Sequence, residues 1–220
     1  PVNLLIRGGL LALAALCLPA CNSVTADSIE TFNRALSGKV NEIPVAQIRA
    51  VTADSLLIKA AGAEALYVKL SSDGGRVNWY GLTEEVQTSH GRITQLLGFK
   101  SDALIPLVAD DPFATGLMQV ADGTQVLRHV DYPLNYQTGL EQYATYYRGP
   151  VENVQILDRV ESHQRIDEVI RMPQLNYEAI NYYWLDVQSG HVRRSIQHLS
   201  PEMPALDITL TRLPPAGDAP

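Results

Sequence analysis

"EALYVKLSSDGGRVNWYG", residues 64–81, decides the fold. Residues 64–72 alternate in character and read as a strand. Ser72 to Gly75 is a strong turn signal, because Asp and paired Gly supply the backbone angles that tight turns need. Residues 76–81 read as the return strand, so the unit is an antiparallel hairpin. The same grammar continues outward. "EVQTS" (85–89) and "RITQLLG" (92–98) flank His90-Gly91, a second hairpin in which Gly91 takes a positive φ.

Further along, residues 126–133, 141–148, 152–160, 163–172, 181–188 and 191–199 read as strands separated by Gly, Pro or Asn. "LDITLTRL" (206–213) closes the series. Residues 99–123 carry Pro106, Pro112 and Gly116 and read as a loop with a short helix. No strand is assigned before Glu64. "NEIPVAQIRAV" (41–51) reads as a connector in which Pro44 breaks any helix. The expected fold class is mainly β: an antiparallel meander curling into a sandwich or partial barrel, preceded by a short N-terminal helix. That helix is expected near residues 28–38, where Ile29, Phe32 and Leu36 recur at spacings of three and four and Gly38 ends it.

The chain opens "PVNLLIRGGLLALAALCLPAC". Arg7 precedes an apolar run from Leu10 to Ala20, the layout of a secretory signal, and the true start is expected a little upstream. The run is too short for a permanent span, which takes about 20 residues. Leu18-Pro19-Ala20-Cys21 resembles a bacterial lipobox, with Leu three positions before the cysteine and Ala directly before it. That resemblance implies a thioether-linked lipid on Cys21 and cleavage before it, so Cys17 leaves and no internal disulfide forms. Several acyl chains on one residue hold a protein on a membrane, where one chain alone binds marginally. Asn22, rather than Asp, implies the outer membrane. The expected organisation is a signal over 1–20, a tether and helix over 21–38, one β-rich periplasmic domain over 39–213, and a Pro/Gly-rich disordered tail over 214–220.

From Cys21 onward the chain holds 16 basic and 24 acidic side chains, net −8. Nucleic acid is thereby excluded as a partner, since phosphate contacts need Lys and Arg. His90, His129, His163, His191 and His198 share no i, i+4 pair, and neither HExxH nor CxxC occurs. No metal or cofactor is expected; only a zinc site assembled from distant strands stays open. There is no G-x-S-x-G and no phosphate-cradling glycine motif. The pairs Asp110-Asp111 and Glu84-Glu85 are adjacent, and neighbours on a strand point to opposite faces, so neither need act as a pair. No catalytic residue is assigned.

Tyr outnumbers Phe ten to three. In "NYYWLDVQ" (181–188), alternation puts Tyr182 and Trp184 on one face and Tyr183 and Leu185 on the other. Trp79 and Trp184 are expected in the core. Tyrosines can stack on sugar rings and bond their hydroxyls. In "HVRRSIQHL", Val192, Arg194, Ile196 and His198 share one face, and Arg193, Ser195, Gln197 and Leu199 the other. Arg194 is expected to cover apolar surface or pair with Asp186 across the turn. Candidates for binding a glycan or a partner are Arg92, Tyr182, Tyr183, Arg193, Arg194 and Gln197.

Two stretches carry a family resemblance. "WYGLTEEVQTSHGRITQLLGF" (79–99) has an aromatic strand, a turn, and His-Gly-Arg opening a strand that ends in Gly. "NYYWLDVQSGHVRRSIQHLSPEMPALDITLTRLPP" (181–215) has aromatic-Trp, an acidic residue, a turn Gly, Arg-Ser-x-Gln, Ser-Pro and a final strand. With the lipobox, these resemble the YjbF/GfcB lipoproteins linked to group 4 capsule and related exopolysaccharides. The resemblance implies a β-rich, outer-membrane-directed lipoprotein made alongside a large outer-membrane β protein and other polysaccharide-export factors. Its signature positions here are Trp79, His90, Gly91, Arg92, Trp184, Gly190, Arg194, Ser195 and Gln197. Many members carry Asn at the place of His90, which argues against acid–base chemistry there. The expected function is accessory: binding a partner protein or glycan during export or assembly of polysaccharide, without turnover. A polysaccharide-modifying hydrolase and a brace for an outer-membrane barrel are the alternatives.

Overall fold

The first hairpin forms from β2 (Ala63–Asp73) and β3 (Arg76–Tyr80), joined through Gly74 and Gly75 at φ 53° and 79°. The computed structural model describes residues 42–214. The expected signal, Cys21, the tether, the helix near 28–38 and residues 215–220 lie outside the described residues. β4 (Glu85–Ser89) and β5 (Arg92–Leu97) form the second hairpin, with His90 and Gly91 at φ 49° and 85°. β6 (Ala103–Leu104), β7 (Gln125–Tyr132), β8 (Gln137–Ile156), β9 (Arg159–Met172), β10 (Tyr177–Leu185), β11 (Val192–Gln197) and β12 (Leu206–Leu210) follow.

Every strand pairs antiparallel with its chain neighbours, and β12 pairs with β1 (Ser55–Ala60). The meander therefore closes into a twelve-stranded barrel rather than stopping at a partial one. Closure removes both sheet edges, and with them the unpaired N–H and C=O rows that invite aggregation.

The structure adds β1, which the sequence does not announce. Its residues read SLLIKA, an apolar run without alternation. Both faces are covered: Leu56 and Ile58 join the main interior cluster, while Leu57 packs against Ile43 and Ile48. Ile48 belongs to α1 (Val45–Ala50), where a connector was expected. Pro44 does not break this helix; it starts it. The carbonyl of Pro44 accepts from Gln47 N and Ile48 N at 2.8 and 3.2 Å, and a residue ahead of the first turn needs no N–H of its own.

Two further boundaries differ. Residues 141–148 and 152–160 are not two strands split by Gly149-Pro150. β8 runs through both and absorbs the proline in a register shift between Arg148 and Val151, where a missing donor costs no ladder bond. The chain then turns at Leu157, which takes φ 53°. The irregular stretch 99–123 holds β6, a one-turn helix α2 (Pro112–Thr115) and a 3-10 turn over Leu117–Gln119.

The interior divides into two clusters. One gathers Tyr67, Trp79, Ile93, Leu96, Val130 and Ile208. The other packs Phe113 and Leu117 of the long loop against Tyr146, Ile166, Ile170 and Tyr183. That loop is thus a stopper in one side of the barrel.

Candidate functional site

Between the two clusters lies a buried ionic knot. β9 contributes Glu168, β5 Arg92, β7 Arg128, and the stopper loop Asp111; Glu168, Arg128, Asp111 and Arg92 are all shielded from solvent. Arg128 Nε and Nη2 donate to the two Asp111 oxygens at 2.7 and 3.0 Å, and Nη1 donates to Glu168 Oε1 at 2.6 Å. Arg92 Nε donates to the same Oε1 at 3.3 Å, and its Nη2 to Gln142 Oε1 at 2.8 Å. Tyr146 OH also donates to Oε1, at 2.8 Å, while Asn181 Nδ2 and Tyr183 OH donate to Oε2 at 2.8 and 2.9 Å. The Phe113 ring sits 6.0 Å from each guanidinium carbon and meets Tyr146 and Tyr183 edge-on.

Two cations here face two anions, and every carboxylate oxygen finds a donor. Desolvation of buried charge costs several kcal/mol per ion, and only such complete pairing offsets it. Burial opposes the charge on Glu168, yet the Arg92 and Arg128 guanidiniums hold its carboxyl well below the usual carboxylate range. Burial, with the Glu168 charge, pushes the Tyr146 and Tyr183 hydroxyls well up. The knot is therefore a fixed scaffold in which the Glu168 carboxylate is ionised and both phenols are protonated, closed to solvent. Sequence reasoning names Arg92 and Tyr183 but misses Arg128, Glu168 and Asp111. For Arg128 and Glu168 the one visible signal is a charged residue at an inward position of an alternating strand; Asp111 caps the helix of the stopper loop and carries no such signal.

The sequence-predicted binding residues separate. Arg92, Tyr183 and Gln197 are fully buried. Arg92 and Tyr183 belong to the knot, and Gln197 bonds the backbone on either side of Arg92, at Gly91 O (3.0 Å) and Ile93 N (2.9 Å). Tyr182 and Arg194 lie on the outer face, as the alternation requires. There Arg165 sits 5.5 Å from the Tyr182 ring centre, and Arg194 5.5 Å from that of Trp184. Trp79 is core, with Nε1 donating to Thr88 Oγ1 at 2.9 Å. Trp184 is not: it stands half-exposed, its Nε1 donating to Glu152 Oε1 at 2.6 Å. Arg194 pairs with Asp207 across β11–β12, at 2.9 and 2.7 Å, instead of Asp186. Asp186 is occupied by its own turn, accepting from Ser189 N and Oγ at 2.8 Å each. Asp110 is exposed and Asp111 buried, so that carboxylate pair divides as expected of neighbours.

Arg193 alone of these residues points inward beside open space. It donates to both Glu161 oxygens at 3.0 and 3.1 Å, and to the Leu210 carbonyl. Its hydrogen bonds hold the Glu161 carboxyl below its usual range. His163 Nε2 lies 3.0 Å from Glu161 Oε2.

Alternate connections of an up-and-down barrel share an end. The β2–β3 and β4–β5 turns, the 186–191 turn and the stopper loop therefore lie together. Beside the stopper, this end opens into a cavity of about 420 Å³, within the range of about 300–1,000 Å³ usual for small-ligand sites. Its apolar wall includes Leu56, Val77, Trp79 and Ile208. Its polar wall includes Thr88, His90, His191 and Ser195, with Lys69, Arg193 and Arg212 as cations. Among the described residues no three His, Cys, Asp or Glu side chains converge as metal ligands would.

A family model for the group 4 capsule polysaccharide lipoproteins GfcB and YjbF matches residues 29–211. The chain belongs to the YjbF family. The solved structure of the hypothetical lipoprotein YmcC from Escherichia coli K12 superposes with a TM-score of 0.70 at 17% identity, covering 90% of this chain and 100% of that one. At that identity the likeness shows the barrel fold. Two others, a Bacteroides fragilis putative exported protein with a YmcC-like fold and a Parabacteroides distasonis putative lipoprotein, reach only 0.33, at 10% and 11% identity. They cover 72% and 73% of this chain, and 93% and 94% of their own. No curated protein sequence matches.

The YjbF signature positions now have physical locations. Gly91 lies against β11: a Cβ there would sit 2.5 Å from Val192 Cβ. The two signature stretches, apart in sequence, thus touch. His90 occupies a left-handed position at φ 49°, a region in which Asn, Asp and His are the enriched non-glycine residues. Trp79, His90, Gly91 and Ser195 also line the cavity.

Proposed function

We propose that this YjbF-family lipoprotein is an accessory factor in export or assembly of capsular or extracellular polysaccharide, acting by binding and not by turnover. Lipid on Cys21 anchors it to the outer membrane, and the barrel faces the periplasm. Its partner is the polysaccharide itself or an outer-membrane β-barrel protein of the export machinery.

The observation that carries this reading is the family match over residues 29–211, to proteins described as capsule polysaccharide lipoproteins. The barrel interior supports the binding half of it. Asp111 and Glu168 meet at Arg128 and are closed to solvent, and the Glu168 carboxyl is held well below the usual carboxylate range. A glycosidase needs one carboxyl raised in pKa to deliver a proton across the scissile bond.

The test is genetic. Deleting the gene is expected to reduce surface polysaccharide, and a Cys21→Ser copy is expected to restore little while releasing the protein from membranes. Unchanged polysaccharide in the deletion strain removes the reading. New reducing ends on incubating polysaccharide with the purified protein would replace it with the hydrolase.

A further inference from the structure

Resting on that binding reading, we propose that the cavity at the hairpin end of the barrel is a subsite for a carboxylate-bearing sugar unit, such as a uronic acid residue of an acidic polysaccharide. The first reason is charge. The chain as a whole carries net charge −7. The cavity wall reverses this: Lys69, Arg193 and Arg212 stand against Asp54 and Asp73. Lys69 is bonded to Asp54 at 2.7 Å. Arg193 is held by Glu161, which does not line the cavity. Arg212 is fixed by the carbonyls of Arg49, Val51 and Thr52 and has no carboxylate partner among the described residues. A site so lined concentrates an anionic ligand against the field of the remaining surface. Guanidiniums fixed beforehand lose little freedom when they meet a carboxylate.

The second reason separates a sugar acid from a bare anion. Leu56, Val77 and Trp79 give one wall an apolar character that suits the C–H face of a pyranose. Two hydroxyls stand in the same wall. Thr88 Oγ1 accepts from Trp79 Nε1 at 2.9 Å, and Ser195 Oγ accepts from Gln197 Nε2 at 2.9 Å. Each is engaged as an acceptor, so each keeps an O–H to donate to a ring substituent. Apolar wall, oriented hydroxyls and a cationic rim together match a saccharide bearing a carboxylate better than phosphate or a neutral glycan.

Titration calorimetry of the purified full chain in detergent micelles tests this with two probes of one skeleton: tetragalacturonate and its fully methyl-esterified form. Tetragalacturonate is expected to bind at least tenfold more tightly than the ester, and its affinity to fall tenfold or more between 50 mM and 500 mM salt. Lys69→Gln with Arg212→Gln is expected to weaken it at least tenfold, and Lys69→Gln alone severalfold, at an unchanged melting temperature. Lys100→Gln, away from the cavity, is expected to change nothing. Equal binding of acid and ester, absence of binding by the unaltered protein, or full affinity in the Lys69→Gln protein each overturn the proposal. If it fails while gene deletion still depletes surface polysaccharide, the subsite is wrong and the accessory reading stands. If deletion changes nothing, the accessory reading itself is gone.

Discussion

Gln197 on β11 holds Ile93 on β5 through the barrel interior, its Oε1 accepting Ile93 N at 2.9 Å. The two strands are not neighbours in the sheet; β11 pairs with β10 and β12. Its Nε2 donates to Gly91 O at 3.0 Å. One side-chain amide therefore satisfies backbone on both sides of Arg92, the residue that enters the ionic knot.

Gln197→Leu keeps the volume and removes both bonds. The buried Ile93 N–H and the partly buried Gly91 carbonyl each lose a partner, at about 1–3 kcal/mol for a fully buried group and less for the other. Urea denaturation is expected to show a loss of about 2–4 kcal/mol. An unchanged midpoint would mean that the grip contributes nothing.

Glu168→Gln leaves Arg92 and Arg128 facing one carboxylate, and breaking a buried pair in this way costs about 3–5 kcal/mol. The pH dependence follows from the direction of the Glu168 shift. Its folded pKa lies below the unfolded value of about 4.3. Its contribution is therefore complete above that unfolded value and lost as pH falls toward the folded one. Stability of the unaltered protein is expected to decline below about pH 4. The Glu168→Gln protein starts lower and declines less steeply, as denaturation midpoints across pH 2–7 would show.

Hairpins were legible where the chain marks its own turns: Gly74-Gly75 and His90-Gly91 sit where the sequence puts them. β1 was not, because a strand covered on both faces has no alternation to display, and its outer cover comes from α1. Pro44 misled because its effect depends on whether it stands inside a helix or ahead of one. The faces of β10 and β11 were readable from period two except at Val192, which a register shift sets opposite the inward Leu185 and against the interior cluster instead of on the face of Arg194. What lies on each face was not: Arg193, Ser195 and Gln197 turn a polar row inward, and the partners that satisfy it come from β5, β9 and β12. Barrel closure was also hidden, since β1 and β12 meet across about 150 residues of chain, in pairs such as Leu56 with Leu210.

Gly91→Ala meets two obstacles: φ is 85°, and the new Cβ would lie 2.5 Å from Val192 Cβ. Strain of this kind costs about 1–3 kcal/mol. His90→Asn, one residue earlier, is expected to be neutral or stabilising by a few tenths of a kcal/mol, because Asn tolerates φ near 49°. Thermal melts of the pair check this. A larger loss from His90→Asn than from Gly91→Ala would point to a role for the imidazole beyond the turn.

The two tryptophans offer an optical check on the inward and outward faces. Trp184→Ala leaves only Trp79, which is 4% exposed and bonded to Thr88. Its emission is expected to be blue-shifted and resistant to iodide quenching. The cost should stay at about 1–2 kcal/mol, from a hydrogen bond to Glu152 and a cation–π contact with Arg194 at a half-exposed site. Trp79→Phe, chosen to keep most of the buried volume, leaves Trp184 as the emitter, red-shifted and readily quenched. Probes on opposite faces must diverge in this way, because Trp79 belongs to the interior cluster while Trp184 stacks with Tyr182 outside. Identical quenching of the two proteins would contradict the assignment of those faces, and with it the placement of Tyr182 and the Arg194 guanidinium on the outer face.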